Sequence, residues 1–309
     1  MQQLLLESVA RILRKAGFEV AELAETKPRC FDLVAKRGEE LYIIKVLYNV
    51  DSLKPETAEE IKKLAKLLSA TPIVVGERFK TDFLERGVIY TRCGLPVVSL
   101  ATFYDYVVEG IPPIVYSAPG GYYVKLDGER IREMRERLGI SIGEAAKRLG
   151  VSRRTVKKYE EGVDANVEVA MKIEELLGSG VIKALRFESF VKYGEEPQSK
   201  IEDEALAQLC DIGLEVYPVK QAPFDAVSDA EGNVILTGVR PVREIERRAR
   251  LIGEVSRVME SRAAYITDRR VKADIESVVF ILRDELSCVS SARDFLLLLE
   301  EKRRGGVDA

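Results

Sequence analysis

The densest chemistry in this sequence lies between Ser141 and Glu160, where Arg153, Arg154, Lys157 and Lys158 stand close together. On a helix this spacing gathers the four cations on one side and leaves Val156 and Tyr159 on the other. A short helix with an apolar back and a cationic front is suited to a polyanion. Across residues 128–162 there are ten Lys or Arg against six Glu, on a chain of 309 residues whose formal net charge is −3. The basic excess is therefore local, and its location carries more information than the total.

Those cations need elements to hold them. Ser141 can cap a helix running to Leu149, with Glu144 three residues on completing a capping box. Gly150 supplies the left-handed conformation that ends it. Val151 fills the space between two helices, and Ser152 caps the second, which runs to about Glu161 and stops at Gly162. Two helices crossing at a tight turn need a small residue at closest approach, and Ala146 provides it. Ala145, Leu149, Val151, Val156 and Tyr159 fall on the inner faces. This is the spacing of a helix-turn-helix, whose second helix enters the major groove.

Residues 128–177 as a whole resemble the Cro/C1-type repressor domain. Ile131, Met134 and Leu138 match its first helix, and residues 166–177 its fourth. The run Tyr116-Ser117-Ala118-Pro119-Gly120-Gly121-Tyr122-Tyr123-Val124-Lys125, followed directly by the helix-turn-helix, resembles an archaeal family of HTH-type transcriptional regulators. In that family this domain sits between two larger segments. The resemblance implies sequence-specific binding of double-stranded DNA to regulate transcription. It implies that Arg153 and Arg154, first on the recognition helix, read base edges, an arginine matching the paired acceptors of guanine. Lys158, one turn on, is a third reader. Ser152 and Thr155 can reach phosphate, Lys147 and Arg148 end the preceding helix, and Lys157 flanks the groove face. One departure stands out: where many repressors carry a phosphate-binding Gln, this chain has Ile142, so fewer phosphate anchors are expected there. A single recognition helix per chain implies a homodimer reading two half-sites.

Other chemistries are harder to assemble. Histidine is absent, which removes the commonest general base. Cys30, Cys93, Cys210 and Cys288 form no close pair, so a zinc site is not expected and neither is any other metal or cofactor. They read as four buried thiols in a reducing cytosol. No apolar run approaches the roughly 18–20 residues that span a bilayer. The N-terminus lacks the features of a secretory signal, and the expected location is the cytoplasm. No small-molecule ligand can be inferred.

The flanks of the helical segment are mixed α/β. Residues 4–16 read as a helix closed by Gly17. Strands follow at 18–23, 31–36 and 41–47, then a helix at 55–68, strands at 72–75, 88–91 and 96–100, and a helix from 102 to 108. The last third repeats this order: a helix to Asp211 closed by Gly213, strands at 214–219, 224–227 and 234–237, a helix at 242–261, strands at 264–267 and 278–282, and a final helix near 291–302. Phe31-Asp32-Leu33-Val34 matches Phe224-Asp225-Ala226-Val227, and Arg78-Phe79-Lys80-Thr81-Asp82 matches Arg270-Val271-Lys272-Ala273-Asp274. The expected organisation is an α/β domain at 1–112, a hairpin linker at 113–127, an all-α Cro/C1-type domain at 128–180, and a second α/β domain at 181–309 that repeats the first.

Each flank resembles the PD-(D/E)xK nuclease fold, which holds Mg²⁺ between an Asp and an acid-x-Lys on the next strand. Asp32 and Lys45 match, but the acid position is Ile43. In the second copy Asp225 matches, while Leu236 and Gly238 replace the other two groups. Glu39 or Glu40 could substitute only by an unusual geometry. One carboxylate holds Mg²⁺ poorly, so the flanks read as degenerate and the chain is not expected to be an enzyme. The alternatives are a Mg²⁺-dependent nuclease acting through the first domain and a protein-interaction scaffold.

Overall fold

The computed structural model describes residues 1–23, 29–194, 200–239, 245–271, 275 and 277–305. In chain order the elements are α1 (Gln2–Lys15), β1 (Glu19–Glu22), β2 (Leu33–Arg37), β3 (Glu40–Asn49), α2 (Pro55–Leu67), β4 (Thr71–Phe79), β5 (Asp82–Phe83), β6 (Val88–Arg92), β7 (Leu95–Ser99) and α3 (Leu100–Val107). There follow β8 (Val115–Ala118), β9 (Gly121–Val124), α4 (Gly128–Arg137), α5 (Ile142–Leu149), α6 (Arg153–Glu160), β10 (Ala165–Asn166) and α7 (Val167–Leu177). The chain ends with α8 (Glu204–Asp211), β11 (Glu215–Pro218), β12 (Ala226–Ala230), β13 (Asn233–Gly238), α9 (Ile245–Val258), β14 (Arg262–Thr267), β15 (Val279–Leu282), α10 (Arg283–Leu286) and α11 (Ala292–Gly305). The first part of the expected helix at 242–261 and the matched residues Lys272, Ala273 and Asp274 lie outside the described residues. Two compact units emerge: Met1–Leu5, Leu47–Leu53 and Ile73–Lys192 form one, and Leu6–Val46, Lys54–Pro72 and Tyr193–Ala309 the other.

Within the second unit two segments share one strand arrangement. β1, β2 and β3 pair antiparallel in sequence, with Glu19 opposite Lys36 and Leu33 opposite Ile44. β11, β12 and β13 do the same, with Glu215 opposite Asp229 and Ala226 opposite Thr237. A helix precedes each meander and ends at a left-handed glycine, Gly17 at φ 81° and Gly213 at φ 97°. A helix follows each meander, and just beyond it Ser69 and Glu260 take nearly the same left-handed φ, 51° and 53°.

The helix after each meander packs against the other meander. α9 lies on β1 and β2. From α2, Lys63 Nζ donates to Pro218 O at 2.6 Å, and Glu60 Oε2 accepts from the Lys220 N–H at 3.2 Å. The Cys30 N–H donates to Gln221 O at 2.7 Å. The interior of the C-terminal α/β segment is built from Leu206, Leu209, Ala226, Ile235, Ile266, Ile281 and Phe295, all buried.

In the first unit β4 runs parallel to β7, and β7 pairs antiparallel with β6. β6 continues parallel to β8, β8 antiparallel to β9, and β9 to β10. The helix α3 begins at Leu100, two residues before the expected start, because the Ser99 hydroxyl accepts from the Thr102 N–H and caps it. The expected hairpin at 115–124 forms, with Gly120 at φ 99° and Gly121 at φ 134° in the turn. Both of its strands are also rungs of the sheet, which ties the segment that follows to it by backbone hydrogen bonds.

Candidate nucleic-acid interface

The helical segment has its own core. Val124, Leu126, Ile131, Ala145, Ala146, Leu149, Val156, Tyr159, Ala170, Ile173 and Leu177 are buried together. Asp127 caps α4, Ser141 caps α5, Ser152 caps α6 and Asn166 caps α7, each through its side chain. Gly150 ends α5 at φ 69°, ψ 31°, and its N–H reaches Ala146 O. Glu144 departs from the capping box: its carboxylate pairs with Arg148 one turn along instead of returning to the helix start.

Two contacts that sequence spacing does not reveal fix α6. Arg135 on α4 is buried, and its Nε donates to Glu160 Oε1 at 2.5 Å while its Nη1 donates to Ile140 O at 2.9 Å. The Glu160 hydrogen bond pushes the Arg135 guanidinium's pKa above its ordinary value. At the same end of α6, a methyl group on Gly128 would stand 2.4 Å from Glu160 O, so the start of α4 abuts the end of α6. The connection after α6 is held as well: Tyr116 on β8 donates to Asp164 Oδ2 at 2.5 Å, and burial with this bond pushes the tyrosine's pKa upward.

On this frame Arg153, Arg154, Lys157 and Lys158 are all exposed, while Val156 and Tyr159 are buried. Lys147 and Arg148 are exposed at the end of α5, Arg148 in its pair with Glu144. Ser152 Oγ and Thr155 Oγ1 lie 2.8 Å apart, and Ser152 Oγ accepts from the Thr155 N–H at 3.1 Å. One hydroxyl proton of that pair stays available to an outside acceptor. Ile142 is half-buried and packs against the helical core, which explains why this position carries no phosphate ligand. Arg153 lies over Gly143: a methyl there would meet its guanidinium at 3.0–3.3 Å.

The other candidate centre is Asp32. Its carboxylate is buried and saturated with donors. Arg29 Nε donates to Oδ1 at 2.6 Å, the Val46 N–H to Oδ2 at 2.8 Å, and Lys45 Nζ sits 3.3 Å from Oδ2. Asp225 repeats the arrangement, accepting from the Val239 N–H at 2.8 Å and from Arg248 Nη2 at 2.7 Å. Ile43, at the position where this fold carries its second acid, is fully buried. The residues do not fit Mg²⁺, because the metal needs carboxylate oxygens that face it, and here cations already face them. Among the described residues no group of three or more Cys, Asp or Glu could hold a metal ion. No described helix is long and apolar enough to cross a membrane.

Comparison with known proteins finds both kinds of domain in the chain. Residues 2–113 match the model of the PD-(D/E)XK superfamily domain, and residues 131–181 match a Helix-turn-helix model. A protein of Archaeoglobus fulgidus named "Putative HTH-type transcriptional regulatory protein" is 63% identical over 98% of this chain and 99% of its own length. Relatives of the same name occur in Halobacterium salinarum, 38% identical over 96% of this chain and 97% of theirs, and in Methanosphaerula palustris, 36% identical over 97% and 100%. No solved structure matches. Full-length identity at this level, with the helix-turn-helix in its place behind a PD-(D/E)XK domain, makes this chain a member of that family of archaeal HTH-type transcriptional regulatory proteins.

Proposed function

We propose that this chain is a transcription regulator that binds double-stranded DNA in a sequence-specific way through α6. The observation that carries the reading is the exposed row Arg153, Arg154, Lys157 and Lys158 on a helix capped by Ser152 and anchored from behind by Arg135. Lys147 and Arg148, with the free hydroxyl proton of Ser152 or Thr155, serve the flanking phosphates. The helical domain spans residues 128–180, between α/β domains at 1–112 and 181–309. A regulator of this kind works where the DNA is, in the cytoplasm. One recognition helix per chain calls for a homodimer with half-sites one helical turn apart.

The α/β domains act as scaffold and not as nucleases. Asp32 and Asp225 hold arginine and backbone N–H groups where a catalytic centre would hold a metal and a scissile phosphate. Supplying Mg²⁺ to the purified protein with duplex or branched DNA should give no cleavage; cleavage that Lys45→Ala abolishes would make the first domain an enzyme.

The deciding experiment selects duplexes from a random pool with purified protein. A recovered consensus that Arg154→Ala loses supports the regulator reading. Recovery of no consensus would leave a protein-interaction role in its place. Light scattering on the DNA complex tests the dimer, which a stable one-chain complex would rule out.

A further inference from the structure

The four cations of α6 are not equivalent. At about 100° per residue, buried Val156 and Tyr159 define the inner side of the helix. Arg154 then lies nearest the outward midline, Lys157 and Lys158 flank it, and Arg153 falls about 90° away, at the helix margin. That margin faces α5. The Arg153 guanidinium lies flat on Gly143, with Nη2, Nε and Cζ at 3.0, 3.1 and 3.3 Å from where a methyl would project. Among the described residues no hydrogen bond or ion pair is made by this guanidinium. A glycine in the first turn of a helix costs stability relative to alanine, and here it leaves the space the guanidinium occupies.

The neighbouring groups also point to an anion. Ser141 Oγ takes the Glu144 N–H, but the N–H groups of Ile142 and Gly143, earlier in the turn, have no intrahelical acceptor. Ile142 turns into the core and offers nothing of its own. The unpaired guanidinium therefore stands beside unpaired backbone donors, at the place where the sequence lacks a phosphate ligand.

We propose that Arg153 is a backbone-phosphate clamp, docked on Gly143 at the amino end of α5, and that base reading belongs to Arg154, Lys157 and Lys158. This assignment rests on the DNA-binding reading above and departs from the expectation that the first recognition-helix residue reads a base. A phosphate contact contributes to affinity regardless of sequence and appears in the salt dependence, whereas a base contact appears in the preference at one position.

The test measures duplex binding by the full-length protein across a salt series, for the selected consensus and for an unrelated duplex. Arg153→Ala should lower affinity for both duplexes by a similar factor. It should also lower the slope of log affinity against log salt by about 0.9, so that a fourfold rise in salt weakens the wild type about 3.5-fold more than the variant. Selection from the random pool should return the wild-type consensus. Gly143→Ala, which displaces the guanidinium but keeps the charge, should weaken both duplexes, and adding it to Arg153→Ala should cost nothing further. A relaxed preference at one base pair in Arg153→Ala, or an unchanged salt slope, overturns the clamp while leaving DNA binding intact. A wild-type protein that retains no duplex at all overturns the DNA-binding reading, and the clamp with it.

Discussion

Arg135 Nε on α4 donates to Glu160 Oε1 at the end of α6 at 2.5 Å, with both side chains about nine-tenths buried. This ion pair couples the helix that presents the cations to the helix behind it. Removing one partner of such a pair leaves a buried charge without compensation, which costs about 3–5 kcal/mol. Glu160→Ala and Arg135→Ala are each expected to lower the unfolding free energy by that order, read from the shift of the denaturant midpoint. The double variant should lose clearly less than the sum, because no charge is then stranded. Additive losses would mean that the pair is not a coupled unit.

Gly128 makes the same junction tight from the backbone side. A methyl added there must displace Glu160 O, which lies 2.4 Å from its position. Backbone cannot swing aside as a flexible side chain can, so Gly128→Ala should destabilise by about 1–3 kcal/mol, as overpacking does. The shift reaches the end of α6 and should therefore weaken DNA binding at temperatures where the domain is still folded. Isothermal binding alongside a melting curve separates the two effects, and full affinity in a destabilised variant would show that α6 is not displaced.

The helix-turn-helix is legible in the sequence because its determinants are local: Ser141, Gly150, Ser152 and Gly162 mark each boundary within a residue or two, and the apolar positions follow the helical period. The likeness of the two α/β segments is legible for a similar reason, since Asp32 and Asp225 each sit in one short matching run and each accepts from a backbone N–H fourteen positions on. What escapes the sequence is pairing between elements. Arg29 neutralises Asp32 from three residues away, while Arg248 does this for Asp225 from α9, so no alignment of the copies matches the two arginines. Arg135 with Glu160, and Tyr116 with Asp164, join residues that only the folded chain brings together. The two-residue β5 has too little pattern to be read, and Glu144 has two partners within reach, of which the fold selects Arg148.

The twin aspartates allow a direct test of their role. If Asp32 is a structural acceptor, Asp32→Ala leaves Arg29, Lys45 and the Val46 N–H without it and should cost about 3–5 kcal/mol. Asp225→Ala should behave alike through Arg248 and Val239. Neither protein should gain thermal stability from added Mg²⁺, nor should the wild type. Stabilisation of the wild type by Mg²⁺ that Asp32→Ala removes would instead assign a metal to this carboxylate.

The thiols should divide by burial. Cys30 is fully buried, and burial, reinforced by nearby Glu60, pushes its pKa up to about 12, whereas Cys288 is exposed. Only the thiolate is nucleophilic. A disulfide reagent at pH 8 should therefore modify Cys288 rapidly and Cys30 only when the protein unfolds. Rapid labelling of Cys30 in the native protein, read by peptide mass, would contradict its burial.

The Arg86–Asp105 pair gives the fold an acid limb. Arg86 donates through Nε and Nη2 to the two carboxylate oxygens of Asp105 at 2.7 and 2.6 Å, which holds the Asp105 pKa below the ordinary carboxylate value. A group whose folded pKa is depressed contributes stability that is complete above its unfolded pKa, about 3.9, and is lost as pH falls toward the folded value. Stability supplied by this pair is therefore complete at neutral pH and declines as the pH falls below about 4. Asp105→Asn removes the titrating group, so the gap in melting temperature between wild type and variant should be constant above about pH 5 and shrink as the solution is acidified. A gap that persists unchanged to pH 2.5 would show that the variant loses packing and not the ion pair, since at that acidity Asp105 is largely protonated in the unfolded chain, about 1.4 units below its ordinary pKa.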